Sequence, residues 1–459
     1  MITTPVPGLE PLPAPGEDAL HPHAVRLRAD RPADPRALLD SFGRIFAGND
    51  QDSVALLVGT SGSTGIPKHT ALSARALRAS AEATEGFFKS AGSEASQWLL
   101  ALPAHYIAGA QVLARSVLAG TDPVIARSVT EPVHFSPDVF LRAVEQLSST
   151  RRFVSLVPTQ LHKLLETARN QPRTGEEIHA ALRSFTGILL GGAPASADLL
   201  AAAQKLGLNV VTTYGSAETA GGCIYSGRVL PGVRVELVPE EGMPSVPSAG
   251  TELTNEDPAH EDPPQVGRIW ISGAHLAQGY LGDPGRTAEH FFAAADGTRW
   301  YRTDDYGLLS PANDPDSAAH GNAPRLQVLG RSDDVLISGG VKISARAVAT
   351  VLEEHPAVRE ACVIGLPDAR WGTAIAAAVT LVPSAHAAAA AATPTENRPA
   401  LNEELCALLR ARCAEKLGAP AAPKLLSILP DFPLTSTGKP DRREIYSILD
   451  RDYREASRG

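Results

Sequence analysis

The stretch GTSGSTGIPK, residues 59–68, combines glycines, four hydroxyl side chains and a closing lysine. Successive backbone N–H groups and Ser/Thr hydroxyls can converge on an anion, and a lysine adds a positive charge. An isolated run of this kind is usually a flexible turn, and the Gly-Lys-Ser/Thr ending of a Walker A loop is absent. The hydroxyls and the lysine, which is scarce in this arginine-rich chain, nevertheless favour a phosphate-binding loop. We expect this loop to join a strand to a helix.

Four further segments place polar groups beside predicted elements. The segment TYGSAETAGG, residues 213–222, follows a predicted strand and sets a tyrosine ring near a glutamate and a threonine. A nucleobase could stack on such a ring, and a carboxylate is a ligand that Mg²⁺ prefers. The other three segments are WYRTDDYG (300–307), LGRSDDVLISGG (329–340) and LTSTGKPDRREI (434–445). None of the four is specific alone, so the information lies in their joint order along the chain.

The elements that must position these segments alternate in type along the first half of the chain. Short apolar runs predict buried strands, and the segments between them repeat apolar residues every three or four positions, as amphipathic helices do. The predicted strands are 54–59, 98–102, 123–126, 153–157, 185–190 and 209–214. Strand–helix–strand repetition predicts a mostly parallel sheet flanked by helices.

The pattern changes after Pro231. GVRVELV and GRIWISG predict strands of a smaller β-rich section, and from Val335 a strand, a helix and two strands predict a separate α+β unit. We therefore predict an α/β fold with two domains. The large N-terminal domain, residues 1–332, would hold mostly parallel sheets flanked by helices plus the β-rich section. The small α+β C-terminal domain would span residues 333–459.

Composition excludes several classes of protein. The 459 residues carry a net charge of −9, which argues against a nucleic-acid binder. The N-terminus has no charged region followed by an apolar run, and no stretch is apolar for long enough to insert into a membrane. The four cysteines form no zinc-type cluster. These features predict a protein of the reducing cytoplasm.

Taken in order, the five polar segments resemble the motifs of the adenylate-forming superfamily, which includes acyl-CoA synthetases, adenylation domains of peptide synthetases and firefly luciferase. The resemblance extends from Val54 to about Leu449. Within the superfamily, residues 99–120, 155–165 and 210–225 are similar to the o-succinylbenzoate–CoA ligases of menaquinone biosynthesis. The resemblance implies a small-molecule carboxylate as substrate. ATP, with Mg²⁺, would convert it to an acyl-adenylate, and CoA would then displace AMP to give a thioester.

The resemblance also implies which residues bind the nucleotide. Glu218 would bind Mg²⁺, and Thr219 would contact the α-phosphate. The β- and γ-phosphates would be held by Thr60, Ser61, Gly62, Ser63, Thr64, Gly65 and Lys68. The adenine would lie against Gly191, Gly192, Ala193, Pro194, Tyr214 and Gly215. In the glycine-rich turn the missing side chains would let the base approach the backbone.

Four further residues receive roles from the same resemblance. Lys439 would bridge the substrate carboxylate and the α-phosphate, offsetting the repulsion between two anions. Asp305, supported by Arg331, would bind the ribose hydroxyls. Asp333 would be the hinge about which a mobile small domain turns between the two steps. Simpler roles stay open: a solvated surface lysine for Lys439, a helix N-terminal charge for Glu218 and an ordinary turn residue for Asp333.

The acyl pocket is less determined by the sequence. His105 lies where the family has a residue that gates this pocket, although it could equally be a structural histidine. The carboxylate of o-succinylbenzoate that does not react needs donors in a mostly apolar pocket. The candidates by position are His105, Thr159, Gln160 and Ser216. Two residues depart from the family pattern, because Asp304 and His69 stand where glycine is common.

Other functions stay open at this stage. The same scaffold could activate another aryl or short acyl carboxylate, or a paralogue could bind a nucleotide without catalysis. The retained Lys439, Glu218 and phosphate loop favour an enzyme over such a paralogue. A homodimer is compatible with the sequence, which does not determine the oligomeric state.

Overall fold

The computed structural model describes residues 8–28, 31–61, 67–88, 94–239, 265–310, 325–331, 334–382, 398–434 and 440–456. Within these ranges the α-helices are α1 (Pro35–Ala47), α2 (Ala74–Phe87), α3 (Ile107–Ala119), α4 (Arg127–Thr130), α5 (Pro137–Val144), α6 (Pro158–Asn170), α7 (Pro172–Arg183), α8 (Ala197–Lys205), α9 (Pro284–His290), α10 (Ala345–Glu353), α11 (Arg398–Leu417) and α12 (Arg442–Ala456).

The strands in the same ranges fall into five sheets. They are β1 (Leu9–Pro11), β2 (Leu20–Leu27), β3 (Val54–Ser61), β4 (Pro67–Ser73), β5 (Gln97–Leu100), β6 (Val124–Ile125), β7 (Arg152–Leu156), β8 (Gly187–Leu190), β9 (Val210–Ser216), β10 (Gly221–Tyr225), β11 (Arg228–Val229), β12 (Arg234–Val238), β13 (Gln265–Ser272), β14 (Gly279–Tyr280), β15 (Phe291–Ala294), β16 (Arg299–Ser310), β17 (Arg325–Arg331), β18 (Val335–Ser338), β19 (Val341–Ser344), β20 (Val358–Asp368), β21 (Gly372–Leu381) and β22 (Leu425–Leu429).

Seven of the described helices begin at a side chain that accepts a hydrogen bond from a backbone N–H of the first turn. These caps are Asp34, Ser73, Ser136, Ser196, Asp283, Ser344 and Asp441. Each cap satisfies a donor that no helical carbonyl can reach. Helices α1 and α5 also carry proline in their first turn, where a missing N–H costs nothing. The helix starts are therefore encoded locally in the sequence.

The seven-stranded sheet has the strand order β11-β10-β9-β8-β7-β5-β6. Strands β5 to β9 pair in parallel, whereas β9, β10 and β11 pair antiparallel. One face packs on α5, α6 and α7, where Phe140, Leu161 and Ile178 are fully buried against the strands. This is the helix-covered parallel sheet predicted from the alternating pattern.

The predicted phosphate loop does not join a strand to a helix, so that expectation is wrong. Strands β3 and β4 form an antiparallel hairpin, with Thr60 opposite Lys68, and α2 begins only at Ala74. The hairpin belongs to a separate four-stranded sheet of order β14-β4-β3-β2. Strand β4 escaped prediction because its buried apolar run is only the pair Ala71 and Leu72, which lies between the polar residues Thr70 and Ser73.

The smaller β-rich section is confirmed. It is a six-stranded sheet of order β1-β15-β16-β13-β12, with β17 paired to β16. Trp270 and Phe292 are buried on its strands, with ring centres 5.1 Å apart. The parallel pairing predicted for the large domain is thus concentrated in the seven-stranded sheet.

The C-terminal elements form the predicted α+β arrangement. Strands β20, β21 and β22 make a three-stranded sheet, and β18 and β19 make a separate hairpin. One face of the sheet packs on α10 and α11 through residues such as Leu352 and Leu409. The other face packs on α12 through Ile445 and Leu449. The predicted α/β class, with a large first part and a small last part, is confirmed.

The described residues divide into two compact units. The first is formed mainly by residues up to Val238 together with Ile269–Thr303, and the second mainly by residues from Gln327 onward. The predicted domain boundary between residues 332 and 333 lies outside the described residues and stays a prediction. In the part of the chain that is described, no helix combines the length and apolarity needed to cross a membrane.

Candidate functional site

The turn between β9 and β10 has a backbone that few sequences can adopt. A Cβ on Gly215 would lie 2.1 Å from the Gly221 carbonyl oxygen, so only glycine fits there. Residues Ala217–Thr219 form a single 3₁₀ turn, and Ala220 follows in the left-handed region at φ 49°. The Thr219 hydroxyl accepts the Ser216 N–H at 2.8 Å and donates to the Gly221 carbonyl at 2.7 Å. This closed ring of bonds fixes the side chains of the turn.

Glu218 is the buried centre of the site. Its carboxylate oxygen Oε1 lies 2.5 Å from Lys68 Nζ and accepts the Tyr280 hydroxyl at 2.9 Å. The Glu218 side chain is 4% exposed and that of Lys68 is 23% exposed. The hairpin β3–β4 and the turn after β9, which the sequence assigned separately to the nucleotide, therefore meet through a charge pair.

The charge state of Glu218 follows from its surroundings. Burial, the largest single cause, raises the pKa of the Glu218 carboxyl, but the Lys68 charge, the Lys68 hydrogen bond and further hydrogen bonds to the carboxylate together lower it. The net pKa lies well below the ordinary value of 4.5, so the group is ionised at neutral pH. Glu218 lies in a three-residue 3₁₀ turn, so its ionisation follows from these local contacts rather than from the dipole of a long helix.

Two buried donors that sequence analysis missed hold the strained residue of this turn. The Ala220 carbonyl accepts the Ser80 hydroxyl at 2.9 Å and the Gln111 side-chain amide at 2.7 Å. Ser80 comes from α2 and Gln111 from α3, and both are almost fully buried. A buried polar side chain on an otherwise apolar helix face was the only sequence signal. These bonds offset the cost of a left-handed alanine next to Thr219.

Tyr280 is a third residue that the sequence did not identify. It is fully buried in β14, and its backbone N–H donates to the Thr287 hydroxyl at 3.0 Å. Its ring packs edge-on against Phe291. The neighbouring Ala277 N–H donates to the Glu218 carbonyl at 2.8 Å. The loop before β14 therefore supports both the backbone and the carboxylate of Glu218.

The predicted adenine segment lies beside this turn. Strands β8 and β9 are parallel neighbours, so their carboxyl ends meet at one edge of the sheet, where ligands bind in open α/β sheets. A Cβ on Gly191 would lie 2.2 Å from the Thr213 hydroxyl, and Gly192 has φ +83°. The structure thus brings Gly191 next to Thr213, the neighbour of Tyr214. The adenine-binding role of Gly191, Gly192, Ala193, Pro194, Tyr214 and Gly215 stays a prediction.

Three candidates for the acyl pocket, His105, Thr159 and Gln160, follow β5 and β7 at the same edge, and the fourth, Ser216, is the last residue of β9. His105 is 7% exposed, its ring lies 4.2 Å from that of Tyr106, and burial lowers its pKa. Gln160 accepts the Val157 N–H and donates to the Ala101 carbonyl, both at 3.0 Å. Gln160 therefore ties two loops together. The substrate roles of His105, Gln160, Thr159 and Ser216 stay predictions.

The predicted ribose residues lie in the second unit. Arg331 Nη2 is 3.4 Å from Asp304 Oδ2, and Arg268 Nη1 is 3.9 Å from Asp304 Oδ1. Asp304, which departs from the family pattern, is thus a carboxylate that faces both of these arginines. Asp305 is the next residue of β16, and its role with the ribose stays a prediction. The other departure, His69, lies within β4 opposite Gly59.

Several predicted residues cannot be placed. Gly62, Ser63, Thr64, Gly65, Asp333 and Lys439 lie outside the described residues. Thr60 and Ser61 belong to β3, but only their backbone is described. Their roles stay predictions.

The donor set allows a test of fit to Mg²⁺. Within the described ranges, no group of three or more His, Cys, Asp or Glu side chains could hold a metal alone. Glu218 supplies one ionised carboxylate, and Mg²⁺ is commonly bound by one or two carboxylates together with substrate phosphates and water. The residues therefore fit a magnesium ion that arrives with a nucleotide.

A buried acid–lysine pair joins a glycine- and hydroxyl-rich hairpin to a turn at the carboxyl edge of a parallel sheet, the edge at which α/β proteins bind their ligands. Comparison with known families identifies which of these α/β proteins the chain resembles. Residues 15–281 match the AMP-binding enzyme family, and residues 347–439 match the AMP-binding enzyme C-terminal domain. The chain belongs to the AMP-binding enzyme family.

Named relatives and solved structures agree with this assignment. A probable 2-succinylbenzoate–CoA ligase of Mycobacterium tuberculosis is 36% identical, over 85% of this chain and 83% of that protein. The 2-succinylbenzoate–CoA ligase of Enterococcus faecalis is 29% identical, over 85% and 69%. The o-succinylbenzoate CoA synthetase of Bacillus subtilis, in complex with its acyl-adenylate, is 25% identical with a TM-score of 0.60, over 86% and 69%. The amide bond synthetase McbA of Marinactinospora thermotolerans is 26% identical with a TM-score of 0.62, over 86% and 70%.

Proposed function

We propose that this protein is an ATP-dependent ligase that converts o-succinylbenzoate to its CoA thioester through an acyl-adenylate. The observation that carries the proposal is the buried Lys68–Glu218 pair, which brings the predicted phosphate loop to the predicted metal ligand. The substrate is inferred from relatives such as the 36% identical protein named as a 2-succinylbenzoate–CoA ligase. The matching residues 99–120 and 155–165, which flank the candidate acyl pocket, support that inference.

In the first step this chain's residues would align two anions. The phosphate loop and Lys68 would bind the β- and γ-phosphates, stabilising the charge of the leaving pyrophosphate. Glu218 would hold Mg²⁺, which neutralises phosphate charge when bound. Thr219 would contact the α-phosphate at its preformed turn. Lys439 would bridge the substrate carboxylate and the α-phosphate, so that the carboxylate oxygen attacks phosphorus and pyrophosphate leaves.

In the second step the small domain would turn about Asp333 and withdraw Lys439. Gly339 and Gly340, both with positive φ at the β18–β19 turn, would then line the path of the CoA thiol. The thiol sulfur would attack the acyl carbon, the bond from that carbon to the AMP oxygen would break with its electrons going to AMP, and the thiol proton would pass to solvent. Two chemistries in one pocket need different groups facing it, which is the reason to expect a moving domain.

The acyl pocket would be formed by the loops after β5 and β7. His105, kept neutral by burial, would gate this pocket, and Thr159, Gln160 and Ser216 would supply donors for the second carboxylate. We place the enzyme in the cytoplasm, where ATP and CoA are available. A homodimer is compatible with this function but is not required for it, because every residue invoked belongs to one chain.

The proposal is tested by pyrophosphate release with a panel of carboxylic acids, each with and without CoA. We expect release that depends on o-succinylbenzoate and a thioester only when CoA is present. Lys439→Ala should reduce adenylate formation at least about a hundredfold, the order found when a group that stabilises transition-state charge is removed. Lys416→Ala, which alters an exposed lysine paired with Glu354, is the matched control and should leave the rate unchanged.

The alternatives predict different outcomes. Release with another aryl or short acyl acid, but not with o-succinylbenzoate, would change the substrate and keep the chemistry. Acid-dependent release without a thioester, and with an amide when an amine is supplied, would favour the chemistry named for McbA. Two outcomes would favour a non-catalytic nucleotide-binding protein. The first is pyrophosphate release that does not depend on any acid, and the second is nucleotide binding without any pyrophosphate release.

A further inference from the structure

We propose that Lys68 and a divalent cation occupy the Glu218 carboxylate in alternation, and that Tyr280 is the positioning residue that holds this carboxylate during the exchange. The inference rests on the metal-binding role proposed above for Glu218. It assigns a function to a tyrosine that neither the motifs nor the comparisons single out.

The geometry links the three side chains through one hydroxyl. The Tyr280 hydroxyl donates to Glu218 Oε1 at 2.9 Å and accepts from Lys68 Nζ at 3.4 Å. Lys68 Nζ also lies 5.0 Å from the centre of the Tyr280 ring, within the range of a cation–π contact. Tyr280 therefore touches both members of the charge pair.

The three side chains differ in their freedom to move. Tyr280 is fully buried, paired through β14 to Thr70 and bonded to Thr287. Glu218 is 4% exposed on a turn whose backbone is bonded on both sides. Lys68 is 23% exposed and stands at the base of the hairpin loop. Of these three side chains, Lys68 is thus the one that can move away from the Glu218 carboxylate.

Lys68 and a metal ion would compete for the carboxylate oxygen Oε1. The ammonium stands 2.5 Å from Oε1, and Mg²⁺ would bind such an oxygen at about 2.0–2.1 Å. Two positive charges bound to one oxygen in a buried site repel each other strongly. When Lys68 turns to the phosphates, Glu218 loses its ammonium partner. The Tyr280 hydroxyl is then the donor that keeps Oε1 aimed at the incoming cation.

The test compares nucleotide affinity with and without metal in the full chain. Titration calorimetry gives the dissociation constants of ATP with excess Mg²⁺ and of ATP with a chelator, and their ratio is the gain due to the metal. Tyr280→Phe removes only the hydroxyl, and we expect it to reduce this gain about tenfold, the usual order for a hydrogen bond to a charged group. The affinity for metal-free ATP should change less than about twofold, because without the metal only the weaker effect of a neutral hydrogen bond is lost.

Tyr225→Phe is the matched control. Tyr225 is also fully buried, and its hydroxyl lies 2.8 Å from the Thr84 hydroxyl, away from Glu218. The control should leave the metal gain unchanged. Equal loss in Tyr280→Phe and Tyr225→Phe, or a loss that affects metal-free ATP as much as Mg·ATP, would show a general structural role and overturn the inference.

Two further variants separate this inference from the function on which it rests. If Glu218→Gln keeps the metal gain, the metal role proposed for Glu218 is wrong. If Glu218→Gln loses the gain and Tyr280→Phe keeps it, only the positioning role is wrong. Lys68→Met removes the competing ammonium, so it should bind Mn²⁺ without nucleotide more tightly than the unaltered protein, measured by water proton relaxation. Unchanged Mn²⁺ affinity in Lys68→Met would overturn the exchange, even if Tyr280→Phe failed to fold.

Discussion

Two carboxylates in this protein face basic side chains under opposite conditions. Glu218 in the first unit is 4% exposed and meets Lys68 at 2.5 Å. Asp304 in the second unit is 36% exposed and lies 3.4 Å and 3.9 Å from two arginines. The Lys68–Glu218 pair lies in a low-dielectric interior, whereas the Asp304–Arg331 pair, with Arg331 46% exposed, is screened by water and salt.

The difference between the two carboxylates shows which charge the fold holds in place before a ligand binds. A buried pair that loses one member leaves an uncompensated charge, so the remaining groups must be held in place. An exposed pair of long side chains contributes little and can rearrange freely. Glu218 therefore suits a site whose electrostatics must exist before the ligand arrives. Asp304 suits a surface that adjusts when the ligand arrives.

The largest effect is expected for Glu218→Gln. Removing the buried carboxylate leaves the Lys68 ammonium without its charge partner in a mostly buried position. We therefore expect a loss of about 3 kcal/mol in the free energy of unfolding at pH 7. The measurement is urea denaturation of the variant and the unaltered chain, followed by far-UV circular dichroism. Glu131→Gln, at an exposed pair with Arg127, is the control and should lose less than about 0.5 kcal/mol.

The same variant gives a pH dependence of known sign. The pKa of Glu218 is lower in the folded protein than its ordinary value of 4.5, because the Lys68 charge and the hydrogen bonds to the carboxylate together outweigh the effect of burial. Its contribution is therefore complete above about pH 4.5 and is lost as the pH falls toward the folded pKa. The stability difference between the unaltered chain and Glu218→Gln should narrow below pH 4.5. A difference that widens there would contradict the assigned charge state.

Sequence patterns predicted the parts of this molecule whose signal is local or repeated. The parallel strands β5 to β9 are short apolar runs separated by helices, so their periodicity is visible in the chain. Glu218 and Lys68 were found because each stands in a motif with a fixed order of residue types. The C-terminal α+β elements were predicted for the same reason.

The parts that escaped prediction depend on contacts between distant segments. Tyr280 meets Glu218 across 62 residues, and Gln111 meets Ala220 across 109. A single tyrosine or glutamine carries no spacing that reveals such a partner. Strand β4 was missed because two apolar residues between polar ones give no clear period. The hairpin changes the element that follows the predicted phosphate-binding segment from a helix to a strand, and it leaves the residues assigned to that segment unchanged.

A smaller effect is expected where a neutral donor supports the buried site. Ser80→Ala removes one of the two donors to the Ala220 carbonyl, and we expect a loss of about 1 kcal/mol in the free energy of unfolding. Because Ala220 follows Thr219, the rate of adenylate formation should also fall. Ser116→Ala is the matched control: its buried hydroxyl bonds a carbonyl of its own helix, so the rate should not change. Equal rates for the two variants would mean that Ala220 needs no support from α2.

The smallest effect is expected at the exposed pair of Asp304 and Arg331. A double-mutant cycle with Asp304→Asn and Arg331→Gln isolates their coupling from other contacts. We expect about 0–0.5 kcal/mol at low salt, decreasing toward zero at about 1 M salt, where charges beyond a few ångströms are screened. The matching cycle with Glu218→Gln and Lys68→Met should give a larger coupling that salt barely changes. If both couplings were equal and equally sensitive to salt, burial would not be what distinguishes the two carboxylates, and the preset charge at Glu218 would need another cause.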